Sequence, residues 1–169
     1  MGKTARITVL PKKSLGQNFL LDDNIARNII RDLRLTPEDI VIEIGPGQGA
    51  LTKYLAPQVQ HLIAMEIDSR VIEELKNQFE SSRVTILQQD FLDARLSEIS
   101  RTYRSKLRIV GNIPYHLTSS ILFKVFEEYQ SVQDLTVMVQ REVARRIVAR
   151  RGTKDYGILS LFSYFYGTP

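Results

Sequence analysis

The sequence predicts a doubly wound α/β fold built on a mostly parallel sheet. Short apolar runs alternate with segments whose apolar residues recur at helical spacing. Several runs are apolar at consecutive positions, which is typical of strands that helices cover on both faces. A helix-length segment separates most of these runs, as right-handed crossovers between parallel strands require.

The first helix is expected after residues 1–20, which show no helical period and predict an arm or loop. Asp22 and Asp23 are suited to cap a helix that ends near Arg34. Its predicted apolar face consists of Ile25, Ile29, Ile30 and Leu33.

The remaining elements follow in alternation after a break at LTPED. The last segment, YGILSLFSYFYGTP, predicts a helix rich in aromatic residues. Such a helix needs other parts of a protein to cover its apolar side chains, so we expect this sequence to be a piece of a longer protein. Predicted strands cover 39–45, 61–67, 83–90, 106–112 and 135–140, and predicted helices cover 50–56, 69–79, 94–104, 118–129, 141–151 and 156–169.

Composition excludes several classes of protein. The 169 residues include no Cys and two His, which argues against disulfides and against a metal site. No apolar run approaches the length of a membrane span, and the N-terminus lacks the apolar core of a signal peptide. We expect an intracellular, cytoplasmic monomer that binds neither metal nor membrane.

The net charge of +4 conceals a strong asymmetry. Residues 1–20 carry four basic and no acidic residues, residues 21–100 carry 8 basic and 14 acidic residues, and residues 101–154 carry 11 basic and 4 acidic residues. A polyanion would be attracted to the two basic segments. The alternative is a set of solvated helix faces.

A glycine loop, EIGPGQG, stands between a predicted strand and a predicted helix. Gly45 and Gly47 would let the backbone approach a nucleotide-type ligand at the helix N-terminus, although a structural turn is the alternative. The loop lacks the Lys-Ser/Thr of a P-loop. Glu66, at the end of the next strand, suits ribose hydroxyls in either an NAD site or an S-adenosylmethionine site.

Carboxylates at two strand ends favour S-adenosylmethionine over NAD. Asp90 could accept from an adenine amine, with Phe91 packing near the base. Glu43 could face a ligand ammonium and would repel a pyrophosphate. Their alternatives are a helix cap for Asp90 and a strand-end ion pair for Glu43.

LGQNFL, EIGPGQG, MEID, QQDF and GNIPY occur in order, and with them the chain resembles the ribosomal RNA adenine dimethyltransferases from about Lys12 to Tyr166. The resemblance implies a Rossmann-like class I methyltransferase fold that methylates adenosine N6 twice with S-adenosylmethionine. It also implies donor contacts, assigned to Asn18, Leu20, Gly45, Glu66, Asp90 and Asn112.

GNIPY would then position the target adenine. Asn112 and the carbonyl of Ile113 would accept hydrogen bonds from N6, Pro114 would keep the turn rigid, and Tyr115 would stack on the base. Ribosomal RNA or the small ribosomal subunit is the implied partner. The residues expected to bind RNA are Lys12, Lys13, Arg141, Arg145, Arg146, Arg150 and Arg151; Val143, Ala144, Ile147 and Val148 are expected to face the sheet.

The resemblance divides the chain into a basic arm with a donor-binding motif, 1–21, and a catalytic domain, 22–169. The family continues with two strands, a proline-rich motif and a small helical domain, none of which is in this sequence. We therefore expect a retained donor site and little independent turnover. Dimethylation of two adjacent adenosines near the 3′ end of small-subunit RNA is the first interpretation. A large-subunit RNA methyltransferase conferring antibiotic resistance, an RNA-binding assembly factor and an NAD enzyme are alternatives.

Overall fold

A computed structural model describes residues 20–169. Within this range the chain forms five strands and seven α-helices. The strands are β1 Ile40–Ile44, β2 His61–Glu66, β3 Val84–Gln88, β4 Leu107–Asn112 and β5 Val132–Met138. The helices are α1 Asp23–Leu33, α2 Thr52–Leu55, α3 Ser69–Phe79, α4 Leu96–Tyr103, α5 Thr118–Glu127, α6 Arg141–Ile147 and α7 Ile158–Tyr166.

The sheet has the order β3-β2-β1-β4-β5, and neighbouring strands pair in parallel. The chain winds outward from β1 to β3 and then crosses back to place β4 on the other side of β1. The carboxyl ends of all five strands therefore meet at one edge, with a crevice where the winding direction changes between β1 and β4. The predicted fold class is confirmed.

Helices cover both faces of the sheet. Side chains of α1 and α3 share one apolar core with Val41, Leu62 and Ile86. The opposite core joins α5 and the start of α4 to the alternate positions of the same strands, including Ile42 and Ile109. Both faces are covered because the central strands are apolar at nearly every position.

Helix α1 differs from its prediction at two points. Asp22 alone caps it, since its Oδ1 accepts hydrogen bonds from the backbone N–H groups of Asn24 and Ile25, whereas Asp23 is the first helical residue. The buried face consists of Ala26, Ile30 and Leu33, and Ile25 is 42% exposed. Ala26 and Ile30 are four positions apart and face the core together, which turns Ile25 toward solvent.

Helix α6 is shorter than predicted and ends at Ile147. Val148, predicted to face the sheet, is 50% exposed. Helix α7 accounts for this ending, because the hydroxyl groups of Ser160 and Tyr164 donate to the carbonyls of Arg146 and Val148. The tertiary partner thus satisfies carbonyls at the end of α6 that a continued helix would have used.

Helix α7 is covered on one side by α5. Phe162 lies 5.3 Å from Phe123 and 6.0 Å from Phe126 between ring centroids. On its other side, Ile158 and Phe165 are 51% and 77% exposed. No helix in residues 20–169 is long and apolar enough to cross a membrane.

A buried arginine ties the opposite edge of the sheet together. Arg108 of β4 pairs with Asp39 at 2.8 Å and with Asp134 of β5 at 2.7 Å. Its guanidinium also donates to the carbonyls of Leu33 and Arg34 at the end of α1. One side chain therefore joins α1, β4, β5 and the start of β1.

Candidate active site

A pocket opens at the carboxyl edge of the sheet, where β1, β2, β3 and β4 end. Its empty volume is about 890 Å³, including the part open to solvent. The pocket is lined by Leu20, Glu43, Ile44, Gly45, Pro46, Gly47, Gln48, Ala50, Leu51, Met65, Glu66, Ile67, Gln89, Asp90, Phe91, Asn112, Pro114, Leu117 and Ile121.

The glycine loop forms the wall between β1 and α2. Gly45 and Gly47 have φ of +62° and +54°, a left-handed conformation that favours glycine. The Gly45 N–H donates to the Met65 carbonyl at 2.9 Å, and the Gly47 N–H donates to Glu66 Oε2 at 3.0 Å. The loop is therefore held by β2 without any ligand.

Glu66 ends β2 and is 3% exposed. Besides Gly47, it accepts at Oε1 from the N–H groups of Ile67 and Asp68, both at 2.9 Å. Burial raises the pKa of this carboxyl, against the lowering effect of the three hydrogen bonds. A carboxylate has about four acceptor positions, so about one remains for a ligand hydroxyl.

Glu43 lies in β1 and is 2% exposed. Thr52 at the start of α2 donates its hydroxyl to Glu43 Oε2 at 2.7 Å. Burial raises the pKa of Glu43 to about 8, so the carboxyl is mostly protonated at neutral pH. Within residues 20–169 Glu43 has no ion-pair partner, so the alternative of a strand-end ion pair is not found. A cation in the pocket would favour its charged form.

Asp90 makes the helix-capping contact that the sequence offered as the alternative to adenine binding. Its Oδ1 accepts from the Leu92 N–H at 2.9 Å and so starts the single 3-10 turn Phe91–Asp93. Asp90 also lines the pocket. Phe91 is 3% exposed and belongs to the core, so it forms a fixed wall there.

The turn after β4 brings Asn112 and Pro114 to the same pocket. Gly111 makes this possible, since a Cβ there would lie 2.7 Å from the Ile44 carbonyl oxygen. Ile113 is 2% exposed with its side chain in the core, so only its backbone can serve a ligand. Tyr115 lies between two lining residues, Pro114 and Leu117, and is 50% exposed.

The sequence predicted most of the polar lining and missed part of the apolar lining. Leu117 and Ile121 lie four positions apart at the start of α5, a helical spacing that could have been noticed. Ile67 directly follows Glu66 and is 42% exposed. Lys12, Lys13 and Asn18 lie outside the described residues.

The predicted RNA-binding residues within the range 20–169 do not line the pocket. They are exposed on α6 and the segment after it: Arg141, Arg145, Arg146, Arg150 and Arg151. Helix α6 begins two residues after β5, so its N-terminus lies at the carboxyl edge that carries the pocket. In residues 20–169 no group of three or more His, Asp and Glu is placed to hold a metal ion.

A family model described as "Ribosomal RNA adenine dimethylase" matches residues 10–167. The chain belongs to the ribosomal RNA adenine dimethylase family. It is 45% identical over 89% of its length to the "Ribosomal RNA small subunit methyltransferase A" of Chlorobium phaeobacteroides. It spans 56–60% of the length of the curated relatives it matches.

Solved structures of two methyl-transferring enzymes resemble the fold. A dimethyladenosine transferase from Plasmodium falciparum has a TM-score of 0.75 and 28% identity, covering 86% of this chain and 51% of that one. The 23S rRNA methyltransferase ErmE has a TM-score of 0.64 and 31% identity, covering 83% and 53%.

The donor set of the pocket fits S-adenosylmethionine. Glu66 and Asp90 are hydrogen-bond acceptors at neighbouring strand ends, as a ribose and an adenine amine need. A phosphate would meet the carboxyls of Glu66 and Asp90, and among residues 20–169 no basic side chain lines the pocket. The lining thus disfavours NAD and favours a cationic ligand.

Proposed function

We propose that the protein transfers methyl groups from S-adenosylmethionine to N6 of two adjacent adenosines near the 3′ end of small-subunit ribosomal RNA. The observation that carries this proposal is the meeting of two sets of residues at one pocket. All five residues line the pocket: Glu43, Glu66 and Asp90 would serve the donor, and Asn112 and Pro114 would serve the target base.

Glu66 and Asp90 would hold the ribose and adenine of the donor, and Leu20 and Phe91 would enclose its apolar parts. Glu43 would face the cationic end, where it gains charge as the cation enters. Asn18, which lies outside the described residues, is assigned to the donor on the resemblance alone. The donor supplies an electrophilic methyl group on a cationic sulfur.

Asn112 would accept a hydrogen bond from the adenine amine through its side-chain oxygen, with the Ile113 carbonyl as a second acceptor. These bonds favour a pyramidal nitrogen, whose lone pair can then attack the methyl carbon as its bond to sulfur breaks. Tyr115 would stack on the base and stabilise the positive charge that develops on N6. The N6 proton then passes to water. No residue need remove it beforehand.

The target base must leave its stack to reach this pocket. The exposed arginines from Arg141 to Arg151 would hold the RNA backbone by charge. Lys12 and Lys13 would add to this contact as part of the basic arm, 1–21, with 22–169 as the catalytic domain.

The relatives support the small subunit as the target. Curated relatives named for the small subunit are 39–45% identical, whereas the 23S enzyme ErmE is 31% identical. A large-subunit target therefore remains the second candidate. A non-catalytic assembly factor would not need the catalytic residues of the turn from Asn112 to Tyr115, so their presence favours an enzyme over this alternative.

Labelled S-adenosylmethionine tests the proposal with purified small and large subunits lacking the modification. We expect label in N6,N6-dimethyladenosine of small-subunit RNA from the protein at its full natural length. Label in large-subunit RNA would favour the second candidate, and binding without label would favour the assembly factor.

A further inference from the structure

One side-chain cluster joins α1 to α2, the helix after the glycine loop. We call it the Asp23 network; it consists of Asp23, Arg27, Lys53 and Tyr54. Asp23 Oδ1 accepts from Lys53 Nζ at 2.6 Å. Asp23 Oδ2 accepts from the Tyr54 hydroxyl and from Arg27 Nη2, both at 2.6 Å. Arg27 Nε also donates to the Tyr54 hydroxyl at 3.2 Å.

The Asp23 network connects two segments that both supply walls of the donor pocket. Leu20 lines the pocket three residues before Asp23. Ala50 and Leu51 line it immediately before α2. Leu20 and Tyr54 also pack against the same apolar core. A shift of α1 relative to α2 would therefore change the width of the pocket.

The charged side chains of the Asp23 network are exposed to solvent, which limits their contribution to the free energy of unfolding. The side chains of Asp23, Arg27 and Lys53 are 41%, 63% and 45% exposed. Exposed ion pairs add little to stability and are screened by salt. Hydrogen bonds from Lys53 and Tyr54 nevertheless lower the pKa of Asp23, so its charged form is the one these contacts favour.

We propose that the Asp23 network is a positioning device for the methyl donor, which holds the segment at Leu20 against the wall formed by Ala50 and Leu51. This inference rests on the proposed function, because it concerns the same donor pocket. A segment that is already held in place loses less conformational freedom when a ligand binds, and affinity rises accordingly. Donor affinity should therefore depend on these contacts more than turnover or stability does.

Asp23→Asn tests the proposal by titration calorimetry with S-adenosylmethionine. We expect donor affinity to fall by about two- to fivefold at low ionic strength, in line with the small contribution of exposed ion pairs. At high salt the difference from the unsubstituted protein should narrow, because screening weakens the network in both. The methyl-transfer rate at saturating donor should be unchanged, whereas KM for the donor should rise.

Asp32→Asn is the matched control. Asp32 is on the same helix and pairs with its neighbour Arg31 at 3.0 Å, with 69% of its side chain exposed. This variant should bind the donor as the unsubstituted protein does. Equal affinities for the Asp23→Asn and Asp32→Asn proteins would overturn the proposal.

Tyr54→Phe gives a second test that keeps the aromatic ring in the core. Tyr54→Phe should also weaken donor binding. The double variant Asp23→Asn with Tyr54→Phe should lose less affinity than the sum of the two single losses, because each single substitution already removes the hydrogen bond between Asp23 and Tyr54. Additive effects, or an unaffected Tyr54→Phe, would overturn the proposal. If the unsubstituted protein binds no S-adenosylmethionine, the proposed function itself fails.

Discussion

The donor half and the acceptor half of the site are built differently. The donor half comprises β1, β2, β3 and the glycine loop, and β1 is buried along its whole length. The acceptor half comprises the turn 112–115, β5, α6 and α7. Only Val132 is buried in β5, and α6 has no buried residue. The donor half is therefore arranged by contacts within the chain, whereas the acceptor half offers exposed groups to a partner.

Hydrogen bonding shows the same contrast. Glu43 and Glu66 have their protein partners in place, so the donor half needs little rearrangement to bind. Tyr115 and the arginines of α6 are exposed, so their order depends on what lies against them. Strand β4 lies between the halves and ends in Asn112, which lines the pocket.

The largest expected effect is on the rate of methyl transfer after substitution of Asn112, and it distinguishes the acceptor half from the donor half. Asn112→Ala should lower single-turnover methyl transfer by about 100- to 1,000-fold, the usual loss when a group that stabilises developing charge is removed. Donor affinity should change much less, because the interaction is strongest in the transition state. Rapid-quench assays on small-subunit RNA measure the rate, and calorimetry measures the affinity.

Tyr115→Phe is the control for this measurement, since it alters the same turn and keeps the ring that stacks. Its rate should stay close to that of the unsubstituted protein. A wild-type rate for Asn112→Ala would reduce the turn to a structural element and disprove the mechanism.

Glu66→Ala should produce the next largest effect, on the donor half alone. Donor affinity should fall by about 1–3 kcal/mol, because the variant loses the hydrogen bond to the ligand and releases the Gly47 N–H. Glu66→Gln keeps one oxygen acceptor and should weaken binding less. Unchanged affinity in calorimetry of Glu66→Ala would remove this residue from the donor site.

Glu43 makes the stability of the donor half depend on pH. The unfolded chain loses this proton near pH 4.5, and the folded chain keeps it to about pH 8. Stability from this group is therefore complete below pH 4.5 and falls as pH rises toward 8, by at most about 1.4 kcal/mol per pH unit.

Glu43→Gln should flatten this slope in urea unfolding measured between about pH 5 and pH 8. Glu73→Gln alters an exposed glutamate of α3 and serves as the matched control. An unaltered slope for Glu43→Gln would show that its carboxyl is charged throughout the range.

The smallest expected effect belongs to the acceptor half. Arg146→Ala with Arg150→Ala should weaken RNA binding modestly and reduce the slope of log affinity against log salt by about one per residue. Arg31→Ala with Arg83→Ala, which removes two exposed arginines outside the basic segment, should leave the slope unchanged. RNA binding that is insensitive to salt would identify α6 as a merely solvated face.

The sequence predicted the donor half more completely than the acceptor half, for a physical reason. Apolar runs define strands, and parallel strands align their ends, so Glu43, Glu66 and Asp90 had to meet. The end of α6 depends instead on Ser160 and Tyr164, which lie 14 and 16 positions from their acceptors. No local pattern predicts such partners.

The apolar lining of the pocket and the buried face of α1 show a second limit of prediction from sequence. Helical periodicity placed Ile25 on the buried face, but the orientation of α1 on the sheet selects Ala26 instead. Leu117 and Ile121 reach the pocket because α5 starts directly beyond the turn. The predictions for Lys12, Lys13 and Asn18 concern residues outside the described range and stay predictions.

Arg108 has a consequence for the order of folding. Its partners Asp39 and Asp134 are 69 and 26 positions away, and its carbonyl acceptors are 74 and 75 positions away. A guanidinium buried without these partners would cost several kcal/mol, on the order of the 3–5 kcal/mol for a broken buried pair. Strand β4 can therefore enter the sheet only when α1, β1 and β5 arrive with it. We expect these elements to form cooperatively, so that both walls of the pocket are completed together.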